Sequence, residues 1–195
     1  MFLKKRLRIS PVITAAYDAE LFGHWWFEGP EWLRSLLKAG QRRKNSFRFI
    51  TPSEYVSEHR EIQSAMPSAS SWGDKGYSST WIHSSNNWIY KHLHKASKLL
   101  AHAVSQNMSA RGHLKRALNQ ALRELLLAQS SDWPFMMKTG NAAAFAENKF
   151  REHLKNFLQL HKEISSGRID RTHLLRLEQK NNIFGEIDFR IYAKR

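Results

Sequence analysis

The sequence predicts a mainly helical α+β protein, in which the tail end of a (β/α) barrel precedes a three- to four-helix bundle. Two observations support this fold class. Up to about residue 60, short β-branched or aromatic runs alternate with helical patterns, as in parallel α/β folds. From about residue 84 onward, apolar residues recur only at helical spacing, which is typical of a helix bundle.

The first part of the chain predicts two strands and two helices in alternation. Residues 9–16 and 47–50 are the predicted strands, because the first contains a β-branched apolar run and the second is short and rich in aromatic residues. The first helix has Pro30 in its first turn and ends at Gly40. The second helix begins with the capping sequence at 51–54. The apolar stripe of the first helix consists of Trp32, Leu33, Leu36 and Leu37.

The second part of the chain predicts four helices, preceded by a long exposed loop. The loop is predicted at residues 64–77, which are rich in serine and glycine. The third of these helices ends at Gly167, and a turn at Gly185 leads to an aromatic tail. The four apolar stripes are Trp88, Ile89, Leu93, Ala96, Leu99 and Leu100; Leu114, Ala117, Leu118, Ala121, Leu122 and Leu125; Phe145, Phe150, Leu154, Phe157, Leu158 and Ile164; and Leu174, Leu175 and Leu177.

The composition is 42% hydrophobic and 25% charged over 195 residues, which is typical of a globular chain with a real core. Cysteine is absent from the sequence, which excludes disulfides and thiolate chemistry. No apolar run approaches the roughly 20 residues of a membrane span, so we expect no membrane partner. The basic start is followed by a poor apolar segment, so we expect no export signal and a cytoplasmic location. No metal-ligand or cofactor motif is present, so we expect neither.

The formal net charge is +14, from 31 basic and 17 acidic residues. Such a charge favours polyanionic partners, above all nucleic acid. The basic residues are spread along the chain, however, with dense clusters only at 4–8 and 42–44. No zinc-finger, RNA-binding or phosphate-loop pattern accompanies them. We therefore expect a solvated basic surface, and we do not expect nucleic acid as a partner.

The segment 17–26 combines two carboxylates, a histidine and two adjacent tryptophans directly after the first predicted strand. A carboxyl group can protonate or deprotonate a glycosidic oxygen, and flat aromatic rings can stack on sugars. Asp18 lies where the strand meets a loop, which is where barrel enzymes carry catalytic groups. An aspartate in that place also commonly serves as a turn or cap residue.

This segment resembles the fourth conserved region of glycoside hydrolase family 57, in particular that of its 1,4-α-glucan branching enzymes. The resemblance implies that Asp18 is the general acid/base of a retaining mechanism. His24 and Trp25 are candidate substrate-binding residues. Alternatively, His24 is a packed, hydrogen-bonded histidine. Trp25 and Trp26 can also differ in role, with one lining the cleft and the other entering the core.

A retaining mechanism needs a second carboxylate about 5–5.5 Å from the first, as the nucleophile. In the family this residue is a glutamate on an earlier barrel strand, and no residue of the present sequence matches its motif. Glu20 would point to the same side of an extended segment as Asp18, so it cannot face Asp18 across a scissile bond. We therefore expect the chain to contain the acid/base but not the nucleophile, and the missing amino-terminal barrel half is a partner to test.

Residues 71–81 and 86–90 resemble the fifth conserved region of the branching-enzyme subgroup. Trp72 is expected to stack on glucose, because an indole in a serine- and glycine-rich loop has little core to enter. Trp81 is expected to be a second stacking platform. Trp88 lies on a helix stripe and is expected to belong to the core.

Residues 130–135, followed by 138–140, resemble the helical-domain signature of the same enzymes. The resemblance implies that Asp132 binds glucose hydroxyl groups. The alternative is a helix cap ahead of Pro134. Residues 182–192 also resemble the family's carboxyl terminus.

These resemblances predict the carboxyl-terminal part of a family 57 1,4-α-glucan branching enzyme, with an α-glucan (amylose, glycogen or a maltooligosaccharide) as its partner. Two alternatives stay open. The absent nucleophile would suit a non-catalytic glucan-binding or vestigial protein, and the charge alone would suit a basic nucleic-acid-binding helical protein. The predicted regions are an unassigned basic start at 1–10, a remnant of the catalytic barrel at 11–63, an aromatic substrate loop at 64–83 and a helical domain at 84–195.

Overall fold

The computed structural model describes residues 12–42, 47–59 and 62–193, which belong to two compact units, Met1–Met66 and Pro67–Arg195. Every regular element in these ranges is helical. In the first unit, a π-helical turn at Leu21–Trp25 precedes α1 (Gly29–Arg42) and α2 (Pro52–Glu58).

The second unit contains five helices in the part that the structure describes. Short 3₁₀ turns occupy Asp74–Gly76, Ser78–Thr80 and Phe189–Tyr192. Each helix among the described residues is too short or too polar to cross a lipid bilayer. The helices are α3 (Trp88–Gln106), α4 (Gly112–Ala128), α5 (Asp132–Thr139), α6 (Ala143–Ser166) and α7 (Arg171–Lys180).

The two strands predicted at 9–16 and 47–50 are not formed in the described residues. Residues 12–16 and 47–50 are irregular, and residues 9–11 lie outside the described part. A strand requires a neighbouring extended backbone that pairs with its own N–H and C=O groups. The regular elements described in this unit are helices, whose backbone groups pair within each helix. The relation of this unit to a barrel stays a prediction.

Three aromatic side chains connect the π-helical turn to α1. The ring centroids of Phe22 and Trp32 lie 6.2 Å apart, and those of Trp26 and Trp32 lie 5.4 Å apart. Gly29 is buried beneath this cluster, and a Cβ atom there would lie 3.1 Å from the Phe22 ring. A larger residue at this position would therefore displace the aromatic rings.

The apolar stripe of α1 exists as predicted, but it forms no core with the described residues of this unit. Trp32, Leu33, Leu36 and Leu37 are 37–42% exposed, and the buried residues of α1 are two glycines. Helical periodicity identifies which face is apolar, whereas burial requires a second surface to cover it.

The predicted cap at the start of α2 is confirmed. The Thr51 hydroxyl oxygen accepts a hydrogen bond from the Glu54 N–H at 3.2 Å, and the Glu54 carboxylate accepts one from the Thr51 N–H at 2.6 Å. The Thr51 hydroxyl also donates to this carboxylate at 2.9 Å, and the two hydrogen bonds that Thr51 donates lower the pKa of Glu54. Pro52 follows at the first helical position, where its missing N–H costs nothing.

Helix α4 lies at the centre of the second unit and packs against α3, α6 and α7. The four predicted apolar stripes correspond to α3, α4, α6 and α7. The side chain of Arg123 on α4 donates hydrogen bonds to the carbonyl oxygens of Ile183, Phe184 and Gly185, which attaches the carboxyl-terminal segment to this helix. The largest fully buried apolar side chains are Phe150, Phe157, Phe189, Ile89, Leu100, Leu118, Leu122, Leu125, Leu160 and Leu174.

A fully buried carboxylate, that of Glu124, lies within this core. Its oxygens accept hydrogen bonds from Asn181 at 2.7 Å and Gln120 at 3.0 Å, and from Asn156 at 3.2 Å. The Nδ1 atom of His153 lies 2.9 Å from the same carboxylate. Burial alone would raise the pKa of Glu124, but these hydrogen bonds outweigh it, so the pKa lies below its ordinary value of 4.5.

Glu124→Gln is expected to lower the free energy of unfolding by about 3–5 kcal/mol. In the variant, the NH₂ group of the glutamine would replace one carboxylate oxygen and would face donors that need an acceptor. Chemical denaturation followed by far-ultraviolet circular dichroism measures the change. Glu186→Gln, which alters an exposed carboxylate, is the control and should change stability by less than about 0.5 kcal/mol.

The stability difference between the wild type and Glu124→Gln should depend on pH in a defined direction. Because the folded-state pKa of Glu124 is lowered, its contribution is complete above pH 4.5 and is lost as the pH falls through the folded-state value. The stability difference between the wild type and Glu124→Gln should therefore shrink in acid. A difference that stays constant down to the acid transition would contradict the assignment of an ionised Glu124.

Candidate functional site

The predicted acid/base segment, residues 17–26, lies in the first unit. Its first residues are exposed, and the π-helical turn follows them. Asp18 is exposed, and its backbone carbonyl accepts a hydrogen bond from the Leu21 N–H at 3.2 Å. The rings of His24 and Trp25 lie 5.3 Å apart on the turn. Trp25 is 73% exposed, whereas Trp26 packs against Phe22. The two adjacent tryptophans thus differ in burial, and Trp25 is the one available to a ligand.

Trp72 lies in a loop whose backbone is held by internal hydrogen bonds. The hydroxyl of Ser71 donates to the Tyr77 carbonyl at 2.5 Å and accepts from the Gly73 N–H at 3.1 Å. A Cβ atom at Gly73 would overlap the Tyr77 carbonyl oxygen, so this close approach requires glycine. Gly76 adopts a φ of +78°. The loop thereby presents the Trp72 ring, which is 79% exposed, on an ordered backbone.

Trp81 borders a cleft of about 230 Å³ on the second unit. Its ring lies 6.1 Å from that of Phe135 on α5. The cleft combines this indole with a phenol, a side-chain amide and two hydroxyl groups, which is the mixture of flat apolar and hydrogen-bonding surface that a sugar ring requires. The lining residues are Trp81, Ile89, Tyr90, Leu93, Gln129, Ser130, Ser131 and Pro134.

Asp132 is the first residue of α5 and follows directly on the two serines of the cleft. Its carboxylate accepts a hydrogen bond from the Ser130 hydroxyl at 2.6 Å. The cap residue of α5 is Ser131, whose side chain makes no capping bond. Within the described residues, the carboxylate of Asp132 therefore bonds to a side chain rather than to the helix backbone, and it stays exposed.

Asn86 joins the Trp81 loop to α5, and the sequence did not single it out as a site residue. It is fully buried. Its side-chain amide donates to the carbonyl oxygens of Thr80 and Pro134, both at 2.9 Å, and its oxygen accepts from the His83 N–H at 2.8 Å. Two segments that are 48 residues apart therefore meet through one amide group.

Tyr90 is a second residue that sequence reasoning missed. Its hydroxyl donates a hydrogen bond to the Trp81 carbonyl oxygen at 2.5 Å, and burial raises the pKa of Tyr90. Both Asn86 and Tyr90 stand in the stretch 86–90 that carries the family resemblance, but their partners are visible only in the folded chain.

Trp88 belongs to the core side of α3, as predicted. Its ring makes an edge contact with Phe150 at 5.3 Å, and the Arg151 guanidinium lies 4.6 Å above it. The indole N–H donates to the Ser85 carbonyl at 3.2 Å. This tryptophan therefore anchors α3 to α6.

The chain matches one family profile and is similar in sequence to curated proteins. Residues 92–192 match the family profile described as "1,4-alpha-glucan branching enzyme, C-terminal". The chain is 34% identical over 181 residues to the 1,4-alpha-glucan branching enzyme TK1436 of Thermococcus kodakarensis, and 31% identical over 193 residues to the probable 1,4-alpha-glucan branching enzyme Rv3031 of Mycobacterium tuberculosis. These matches cover 89% and 93% of this chain but only 26% and 36% of the relatives, about a quarter to a third of their length.

Three solved structures are similar in fold. The alpha-amylase AmyC of Thermotoga maritima is 40% identical with a TM-score of 0.66, over 100% of this chain and 36% of that one. The GH57-type branching enzyme of Pyrococcus horikoshii is 30% identical with a TM-score of 0.71, over 100% and 37%. TK1436, a GH57 branching enzyme solved with glucose and additives, is 29% identical with a TM-score of 0.73, over 98% and 36%.

Asn86→Ala is expected to lower the free energy of unfolding by about 2–4 kcal/mol, because it leaves buried backbone groups without partners. The neighbouring Asn87 is exposed and its side chain makes no capping bond, so Asn87→Ala is a matched control that should change stability by less than about 0.5 kcal/mol. Chemical denaturation of both variants measures the difference. Equal stability of the two would exclude Asn86 as the link between the loop and α5.

Proposed function

The chain belongs to the 1,4-alpha-glucan branching enzymes of glycoside hydrolase family 57, whose carboxyl-terminal region it matches, and we propose that it binds α-glucan and takes part in branching. In this proposal Asp18 protonates the leaving oxygen of an α-1,4 bond and later deprotonates the incoming 6-hydroxyl. The chemistry uses two carboxylates, so the proposal includes no metal or cofactor.

The nucleophile of this proposal is supplied from outside the 195 residues, because none of them matches the family's nucleophile motif. The partner is thus the remaining part of a family 57 barrel, present in the same polypeptide or contributed in trans. A cytoplasmic location is part of the proposal, since the sequence contains no cysteine that would suggest an oxidising compartment.

The observation that carries the proposal is the composition of the cleft on the second unit. The Trp81 indole, the Ser130 and Ser131 hydroxyls and the adjacent Asp132 carboxylate come from two segments that Asn86 joins. We assign Trp81 to stacking on a glucose ring and Asp132 to accepting hydrogen bonds from its hydroxyl groups. This arrangement would exclude water from one face of the sugar, which favours transfer over hydrolysis.

The exposed aromatic residues extend this assignment. Trp72 is assigned to stacking on a further glucose unit, supported by its exposure on an internally bonded loop. His24 and Trp25 are assigned to substrate binding beside Asp18, supported by their exposure on the turn that follows it.

Hydrolysis of α-glucan is the second candidate activity, because the chain is 40% identical to an alpha-amylase. Counting reducing ends and α-1,6 branches in the same reaction separates the two. A non-catalytic glucan-binding protein would bind glucan and produce neither.

Asp18→Asn is expected to lower branching by about 10²–10⁴-fold when the chain is joined to the amino-terminal part of a branching-enzyme relative, with glucan binding retained. The expected loss reflects removal of the proton donor and acceptor. Glu20→Gln, two residues away and also exposed, is the matched control and should stay active. The 195 residues alone should show no turnover, since they lack a matching nucleophile. More than about a tenth of the activity in Asp18→Asn would exclude Asp18 as the acid/base.

Trp72→Ala and Asp132→Asn should each weaken maltooligosaccharide binding by about tenfold and leave the melting temperature almost unchanged, because both side chains are exposed. Trp88→Ala is the contrasting variant, since its ring packs against Phe150. It should destabilise the protein by about 3 kcal/mol and affect affinity little. Oligosaccharide titration and thermal unfolding of the three variants measure both effects.

The opposite pattern, in which Trp72→Ala destabilises the protein and Trp88→Ala alters only affinity, would move the glucan site elsewhere. Unchanged affinity in both Trp72→Ala and Asp132→Asn would refute the proposed glucan site.

A further inference from the structure

Helix α3 carries a basic stripe on its exposed face, which we define as Lys91, His94, Lys95, Lys98 and His102. All five side chains are exposed. They recur at intervals of three and four residues, so they align along one side of the helix over about 16 Å. The helix contains no aspartate or glutamate in its 19 residues. The three lysines carry positive charges that no carboxylate on the same helix offsets, so the stripe has a positive potential rather than a mixed, self-neutralised one.

The carboxylates on the adjacent helix α6 already have other partners. Glu147 forms an ion pair with Arg151 at 2.7 Å. Glu152 accepts from Lys149 at 3.1 Å and also from Lys180. Among the described residues, the three lysines of the basic stripe form no ion pair. Their charges are therefore available to an external anion.

Helix α6 runs alongside α3 in the same direction and carries further basic residues. Trp88 contacts Phe150 near the start of both helices, and His102 lies close to His161 near their ends. Burial and the nearby charge of His102 both lower the pKa of His161. Farther along the surface of α6, the exposed side chains of Lys155 and Lys162 are also basic.

The basic stripe adjoins the cleft that contains Trp81. Tyr90 and Leu93 line the cleft, and Lys91 and His94 are the next residue after each of them. One residue corresponds to about 100° of rotation, which is about 10 Å along the surface of a helix of ordinary diameter. An oligosaccharide that lies in the cleft can therefore reach the stripe without leaving α3.

From this adjacency we infer that the basic stripe binds the phosphate groups of a phosphorylated α-glucan whose uncharged glucose units lie in the Trp81 cleft; this inference rests on the proposed function. A neutral glucan has no negative charge to pair with the three lysines. Monoester phosphates carry between one and two negative charges near neutral pH and accept several hydrogen bonds from ammonium groups. The stripe contains no tryptophan, tyrosine or phenylalanine, and it adjoins the cleft assigned to glucose units, which favours the sugar polymer over single-stranded nucleic acid.

The experiment compares one phosphorylated maltodextrin before and after phosphatase treatment, with the intact 195-residue chain. The wild type should bind the phosphorylated form about tenfold more tightly at low ionic strength, and added salt should remove this preference. Affinity for the dephosphorylated form should not depend on salt. Because the two ligands differ only in phosphate, the ratio of their affinities isolates the contribution of the phosphate groups, which the variants then assign to a surface.

The test variant is K91Q/K95Q/K98Q, and the matched control is R168Q/R171Q/R176Q. Both remove three exposed positive charges, but the control residues lie on or beside α7, which packs against α4. The test variant should lose the preference for phosphate and keep its affinity for the dephosphorylated dextrin. The control should keep both. Glutamine is a good helix former, and circular dichroism verifies that the helices are intact.

Four results would overturn the inference. Equal binding of the two dextrins by the wild type would remove the phosphate site while leaving the proposed glucan function intact. If the control variant also loses the preference for phosphate, the preference depends on the net charge of the protein and not on the stripe. Lysine-dependent binding of a DNA duplex more tightly than of the phosphorylated dextrin would assign the stripe to nucleic acid. Absence of binding to either dextrin would overturn the proposed function together with this inference.

Discussion

The buried carboxylate of Glu124 is the constraint on which the packing of the second unit depends. An ionised group inside a protein core is unfavourable unless donors surround it. The donors of this carboxylate come from α4 itself, from α6 and from Asn181 after α7. A packing that displaces any of them leaves a buried charge with too few partners. Hydrogen bonding therefore restricts how these three helices can assemble, beyond what apolar burial alone requires.

The position of α4 also determines where the candidate site forms. The helix ends at Ala128, and residues 129–131 continue directly into the wall of the cleft. The opposite wall belongs to α3, which packs against α4. Asn86 then ties the Trp81 loop to Pro134, so the indole and the two serines that precede Asp132 line one cleft. The proposed glucan site is thus a consequence of bundle assembly, with Asn86 as the connecting residue.

The two units differ in how far their apolar helix faces are buried. The second unit covers its helical stripes with other helices, whereas α1 of the first unit leaves its stripe exposed. Asp18 and Trp25 lie on this first unit, and the cleft lies on the second. The positive charges also differ in their partners: Lys149 and Arg151 of α6 pair with carboxylates, whereas the lysines of α3 form no ion pair within the part of the chain that the structure describes. The exposed apolar stripe of α1, the lysines of α3 and the aromatic residues of the cleft are therefore formed by different parts of the chain.

The sequence by itself determined the four principal helices of the second unit, the cap of α2 and the core position of Trp88, because periodicity and capping depend on residues within a few positions of one another. It also named Trp81 and Asp132 through a family resemblance. Strands were predicted at 9–16 and 47–50, yet the described residues there are irregular, because a strand exists only with a paired neighbour. Only the tertiary structure decided that Asn86 meets Pro134 and that His153 meets Glu124. These partners lie 48 and 29 residues apart, and no local pattern specifies contacts that packing alone creates.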